Sequence, residues 1–80
     1  MDIYTLSGLR PGERGTVAEV TGGGVMARRL ADLGLLPGAT VACAARAPAG
    51  DPAAYLIRGA VIALRDRDAA RVALAGAPWR

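Results

Sequence analysis

Few side chains in these 80 residues could carry acid–base or covalent chemistry, and their spacing excludes most of it. Histidine and lysine are absent, so neither a Ser-His-Asp or Cys-His arrangement nor a phosphate-binding P-loop can be built. Asp66 and Asp68 are close in sequence, but a glycosidase pair would need a cleft and a defined separation. The run Asp66-Arg67-Asp68-Ala69-Ala70 reads instead as one helical turn with an Asp near its start accepting backbone N–H bonds. Gly22-Gly23-Gly24 lacks the spacing of a dinucleotide fingerprint and reads as a turn before a helix, whose first N–H groups could at most attract an anion. Zinc and ferrous-iron sites draw on clustered His, Cys and carboxylates. With one Cys, no His and seven dispersed acids, no dedicated intrachain metal site and no cofactor are expected, which leaves at most a weak surface site or one shared between two chains. The chain is therefore expected not to be an enzyme.

The remaining reactive or charged residues point to structure. Cys43 lies in Val41-Ala42-Cys43-Ala44-Ala45 and reads as a small buried hydrophobe that cannot form an internal disulfide. All ten basic residues are Arg, and eighteen residues are Ala, a bias that fits GC-rich codons. The arginines are scattered, and acids interrupt them, so they read as solvated surface and not as the concentrated patch of a nucleic-acid binder. Aromatic stacking platforms are also short, with only Tyr4, Tyr55 and Trp79 available. No run of about 18 apolar residues occurs, and Asp2 and Tyr4 stand where a leader would be basic. A cytoplasmic chain without membrane insertion is the expectation.

Eleven Gly and five Pro cut the chain into short segments, the pattern of a small barrel or sandwich. Strands are expected at Gly15 to Val20, Thr40 to Ala47, Ala54 to Arg58, Val61 to Leu64 and Val72 to Ala75. One helix, Val25 to Leu33, places Met26, Leu30 and Leu33 on a single face. Gly34 fits its C′ position, with Leu35 packing back on Leu30 and Pro37 stopping any continuation. The fold class is mainly β: a small SH3-like barrel of about five short strands, with the helix after the first strand and a helical turn before the last. An OB-type barrel is the alternative. Closure would remove exposed strand edges. The core spans about 6–75, and the tail 76–80 is expected to be loose.

The segment Arg28-Arg29-Leu30-Ala31-Asp32-Leu33-Gly34-Leu35-Leu36-Pro37-Gly38 resembles the central motif of the FeoA family. Leu9-Arg10-Pro11-Gly12-Glu13-Arg14-Gly15, Ala47-Pro48-Ala49-Gly50-Asp51-Pro52, Ile57-Arg58-Gly59, Ile62-Ala63-Leu64-Arg65 and Asp68-Ala69-Ala70 resemble other stretches of that family in order and spacing. The triple glycine and the tail from Gly76 have no counterpart in it. The resemblance implies an SH3-like barrel and a small cytoplasmic accessory of FeoB, a membrane ferrous-iron transporter with a GTP-binding domain. It also implies kinship with the C-terminal domains of iron- and manganese-dependent repressors, and a loose association with transition metals.

On that basis the chain is expected to dock on the cytoplasmic domain of a FeoB-type transporter as a protein-interaction module, with homo-oligomers as an option. Arg28, Arg29 and Asp32 on the outer helix face are the candidate polar contacts and Leu36 the candidate apolar anchor. The competing role for Arg28 and Asp32 is an i, i+4 surface pair worth a few tenths of a kcal/mol, and for Leu36 plain core. A metal-responsive regulator or a nucleic-acid-binding small barrel is the alternative function, supported mainly by a pI near 10.0.

Overall fold

A computed structural model describes residues 3–80. The reading of Asp2 as evidence against a basic leader lies outside them. The elements are a 3-10 turn η1 (Leu6–Gly8), β1 (Arg14–Val20), α1 (Gly24–Asp32), β2 (Thr40–Arg46), β3 (Ala53–Ile57), β4 (Ala60–Leu64), α2 (Asp66–Ala69) and β5 (Val72–Leu74). The strands form one antiparallel sheet in the order β4-β3-β2-β1-β5, the SH3-like arrangement, with each expected strand within a residue or so of its place.

Local chemistry explains the turns. Arg10-Pro11-Gly12-Glu13 closes with Glu13 N–H donating to the Arg10 carbonyl at 2.9 Å, and the Glu13 carboxylate accepts from Arg10 N–H at 2.7 Å. Arg58 and Gly59 both have positive φ, 53° and 79°, the requirement of a two-residue type I′ hairpin between β3 and β4. Register shifts at Val17/Glu19 in β1 and Cys43/Ala45 in β2 mark bulges, which bend those strands and curl the sheet around its core. That core comprises Leu6, Leu9, Val17, Leu30, Leu35, Val41, Cys43, Ala53, Tyr55, Ile57, Ala69, Val72 and Leu74, and includes no charged side chain. Cys43 is a buried free thiol, as its apolar run suggested.

Several expectations need correction. Arg46 is not solvated surface. Its guanidinium donates to the Leu9 carbonyl at 2.8 Å, to Gly50 O at 3.0 Å, to the Ser7 carbonyl, and to Asp66 Oδ1 at 3.1 Å. It thereby ties η1, the β2–β3 loop and α2 into one unit. Asp66 is the acceptor for Arg46, and its own N–H is capped from a distance by Asp51 Oδ1 at 3.0 Å. The helical turn thus obtains its cap from the neighbouring loop, which spacing alone could not reveal. The tail is not loose either: Arg14 N–H donates to Trp79 O at 2.6 Å and Trp79 N–H to Arg14 O at 2.9 Å, so the chain end pairs beside β1. Nor is every edge covered. Tyr4 and Thr5 shield β5, through Leu74 N–H to Tyr4 O at 2.8 Å, while β4 has β3 on one side and, among the described residues, no strand on the other.

Candidate docking site

Helix α1 ends as its sequence requires. Gly34 N–H donates to Ala31 O at 2.9 Å and Leu35 N–H to Leu30 O at 3.2 Å, the paired bonds of a Schellman stop. Gly34 has φ 108°, and a Cβ there would overlap the aliphatic stem of Arg58, with Cγ at 2.8 Å. The stop therefore locks the helix end onto the β3–β4 hairpin. At the other end, the three glycines all take positive φ (87°, 56° and 78°), and Arg71 clamps them, donating from Nε to Thr21 O at 3.1 Å and from Nη2 to Gly23 O at 2.6 Å. A Cβ on Gly22 would fall 2.8 Å from that Nη2, which gives the otherwise unmatched triple glycine a structural purpose. Arg71, like Arg46, is a tether and not free surface charge.

Held at both ends, α1 leaves a groove of about 280 Å³ between itself and β4. Met26, Leu30 and Leu33 line one wall, Ile62, Ala63 and Leu64 the other, and Arg29, Arg65 and Asp68 reach it from the rim. Leu30 is sealed in the core, whereas Met26, Leu33, Ile62 and Leu64 are only half-buried. The volume lies at the low end of the ~300–1,000 Å³ of small-molecule sites, and the groove opens to solvent. It suits side chains of a partner better than an enclosed metabolite.

The sequence-predicted residues occupy different places. Arg29 reaches the groove; Arg28, Asp32 and Leu36 are exposed but outside its lining. Arg28 and Asp32 form no ion pair, since the one salt bridge among the described residues is Arg46–Asp66. Leu36 is 42% exposed beyond the helix stop, so it is not core, while its neighbour Leu35 is fully buried. The sequence placed Met26 and Leu33 with Leu30 on one apolar helix face but did not mark them as groove wall, and it attached no binding role to Ile62, Leu64 and Arg65. The one available signal was the apolar run Val61-Ile62-Ala63-Leu64, too long for a strand with only one buried face.

Below the sheet, burial pushes the Tyr55 phenol and the Cys43 thiol above their usual ranges, partly countered by the nearby Arg46 charge. The Tyr55 hydroxyl is fully enclosed and makes no hydrogen bond of ordinary geometry. Among the described residues no three His, Cys, Asp or Glu side chains come together. The donor set therefore does not fit a transition metal held within one chain. No helix among the described residues is long and apolar enough to cross a membrane.

This combination defines a small SH3-like barrel whose distinctive surface is an open apolar groove with a basic rim. Residues 4–75 match the FeoA domain model, and the chain belongs to the FeoA family. A Stenotrophomonas maltophilia FeoA, an SH3-domain protein complexed with zinc, is 32% identical over 90% of this chain and 89% of its own, with a TM-score of 0.80. A Porphyromonas gingivalis Fe(2+) transport protein A/Fe(2+) transporter FeoB fusion protein is 34% identical over 84% of this chain. This chain spans only 8% of that relative's length. A manganese-dependent transcriptional repressor, 23% identical over 90% of this chain and 40% of its own, shares the fold with a TM-score of 0.77.

Proposed function

We propose that this chain is a non-catalytic accessory of ferrous-iron uptake that docks on the cytoplasmic domain of a FeoB-type transporter and modulates or assembles it. The observation that carries the reading is the fusion relative, in which a segment like this one is covalently joined to the transporter. Joining two modules in one chain raises their effective mutual concentration to the mM range, which is useful when they act on each other. The surface chemistry agrees: exposed arginines and half-buried apolar side chains are common interface anchors, and among the described residues no three His, Cys, Asp or Glu side chains come together. Localisation at the inner face of the membrane would then come through the partner.

Arg28, Arg29, Asp32 and Leu36 are the contacts assigned to this interface. Capture of the transporter's cytoplasmic domain by the immobilised chain tests the reading. Wild type captures it, and Leu36→Asp and Arg29→Glu abolish capture with the far-UV spectrum unchanged. No capture by wild type refutes the docking reading, whereas normal capture by both variants refutes the residue assignment alone.

A further inference from the structure

β4 is a strand edge left open beside the groove. The two-residue turn makes Ile57 and Ala60 a hydrogen-bonded pair. Pairs then alternate, so Ile62 and Leu64 bond to β3, while Val61 and Ala63 direct their N–H and C=O groups away from it. Among the described residues those groups have no hydrogen-bond partner. The edge also lacks the usual protections: Ala60-Val61-Ile62-Ala63-Leu64 contains no charge, no proline and no bulge, and Val61 is 66% exposed. The molecule does shield its other margins, with Tyr4 and Thr5 at β5 and Trp79 at Arg14. The exception coincides with the groove.

We infer that β4 captures an extended segment of another protein by strand addition, its alternate large apolar side chains entering the groove and its acidic residues meeting Arg29 and Arg65. An added strand lies about 4.8 Å from its neighbour, over the space between β4 and α1. Its residues opposite Ile62 and Leu64 point inward, toward Met26 and Leu33. Main-chain bonds to Val61 and Ala63 supply affinity, and the groove supplies selectivity. Charge identifies the occupant. Two arginines against Asp68 give the rim a positive balance, which favours an acidic segment. A second copy pairing β4 to β4 would bring its own Arg29 and Arg65 against this rim. The mode of capture stands on the edge and groove alone and does not depend on the transporter as partner.

The probe is a synthetic peptide of about eight residues, the length of a full strand, alternating leucine with glutamate, and a twin with lysine in place of glutamate. The glutamate peptide slows amide exchange at Val61 and Ala63 at least tenfold, and the lysine twin binds at least tenfold more weakly. Val61→Pro, which removes an outward donor, weakens binding at least tenfold. Ala63→Glu, on the exposed face, leaves the fold intact, opposes the acidic segment and weakens binding at least fivefold, so a misfolded proline variant would not shelter the idea. Unchanged Val61 and Ala63 amides at saturating peptide, protection at another edge, or equal binding of both peptides would overturn it. So would a sedimenting dimer of the chain alone that Ala63→Glu dissociates, since the edge would then belong to a second copy. A transporter domain that fails to bind speaks only to the docking proposal, because the peptide measurements do not involve it.

Discussion

Replacing Arg46 by Met should destabilise this domain more than any other change to an arginine. The substitution keeps much of the aliphatic stem and removes the fork. The carbonyls of Ser7 and Leu9 then lose their hydrogen-bond donor, and neither has another. A buried acceptor left bare costs about 1–3 kcal/mol. The Arg46 side chain is 21% exposed, so water can reach part of the vacated space and the sum falls in the lower half, about 2–4 kcal/mol. The Asp66 side chain is 45% exposed, so its ion pair adds less than about 1 kcal/mol. An 80-residue domain has about 4–12 kcal/mol to lose. At ~4–8 °C per kcal/mol the melting temperature falls by about 8–32 °C. Arg46→Lys recovers less than half, because one ammonium cannot span carbonyls on two loops and a carboxylate. Asp66→Asn costs under about 1 kcal/mol. Thermal unfolding followed by circular dichroism decides it. An Arg46→Met protein melting within about 5 °C of wild type would refute the tether and return Arg46 to the surface role its sequence suggested.

Tyr55→Phe removes an enclosed hydroxyl that makes no hydrogen bond and should leave stability unchanged or raise it by up to about 1 kcal/mol in urea unfolding; a loss above about 1 kcal/mol would reveal a partner for that oxygen. Burial raises the pKa of both Cys43 and Tyr55, so above about pH 9 the unfolded chain releases protons that the folded chain retains. Stability is thus full below that pH and declines as pH rises, and Cys43→Ala with Tyr55→Phe flattens the decline. Gly34→Ala forces a Cβ onto the Arg58 stem at φ 108° and should cost about 1–3 kcal/mol, measured against Gly8→Ala, where nothing lies within 4 Å. Cys43 reacts with a thiol reagent only as fast as the domain opens; prompt labelling in native buffer would contradict its burial.

The helix stop, the hairpin and the positions of the strands were legible because short-range rules govern them. Gly34 after Leu33, with Leu35 and Pro37 beyond, permits few other backbones, and Arg58-Gly59 between two apolar runs calls for a tight reversal. The functions of Arg46 and Arg71 were hidden for the opposite reason. Most of their acceptors are backbone carbonyls 37 to 50 residues away, and a carbonyl carries no residue identity to read. The same blindness misplaced the helix cap from Asp51 onto Asp66 and left the tail unpaired. Composition showed that histidine and lysine chemistry has no residues to use; it could not indicate where backbone hydrogen-bonding capacity would be left over.

That leftover capacity links fold to function. A domain this small buries only a little over ~60% of the surface its unfolded chain exposes. A deep site would have to be cut from the same side chains that form the core. Two economical binding resources remain, a shallow gap where a helix meets a sheet and a row of unpaired peptide groups. Here they coincide along β4, where Met26, Leu33, Ile62 and Leu64 are half-buried and Val61 and Ala63 face outward. Filling the gap with larger side chains, for example Ile62→Phe, would stabilise the free domain only by narrowing the groove. Higher stability together with weaker capture of an acidic strand is therefore the expected joint outcome of that substitution, and a variant improved in both would show that the gap is a packing defect unrelated to binding.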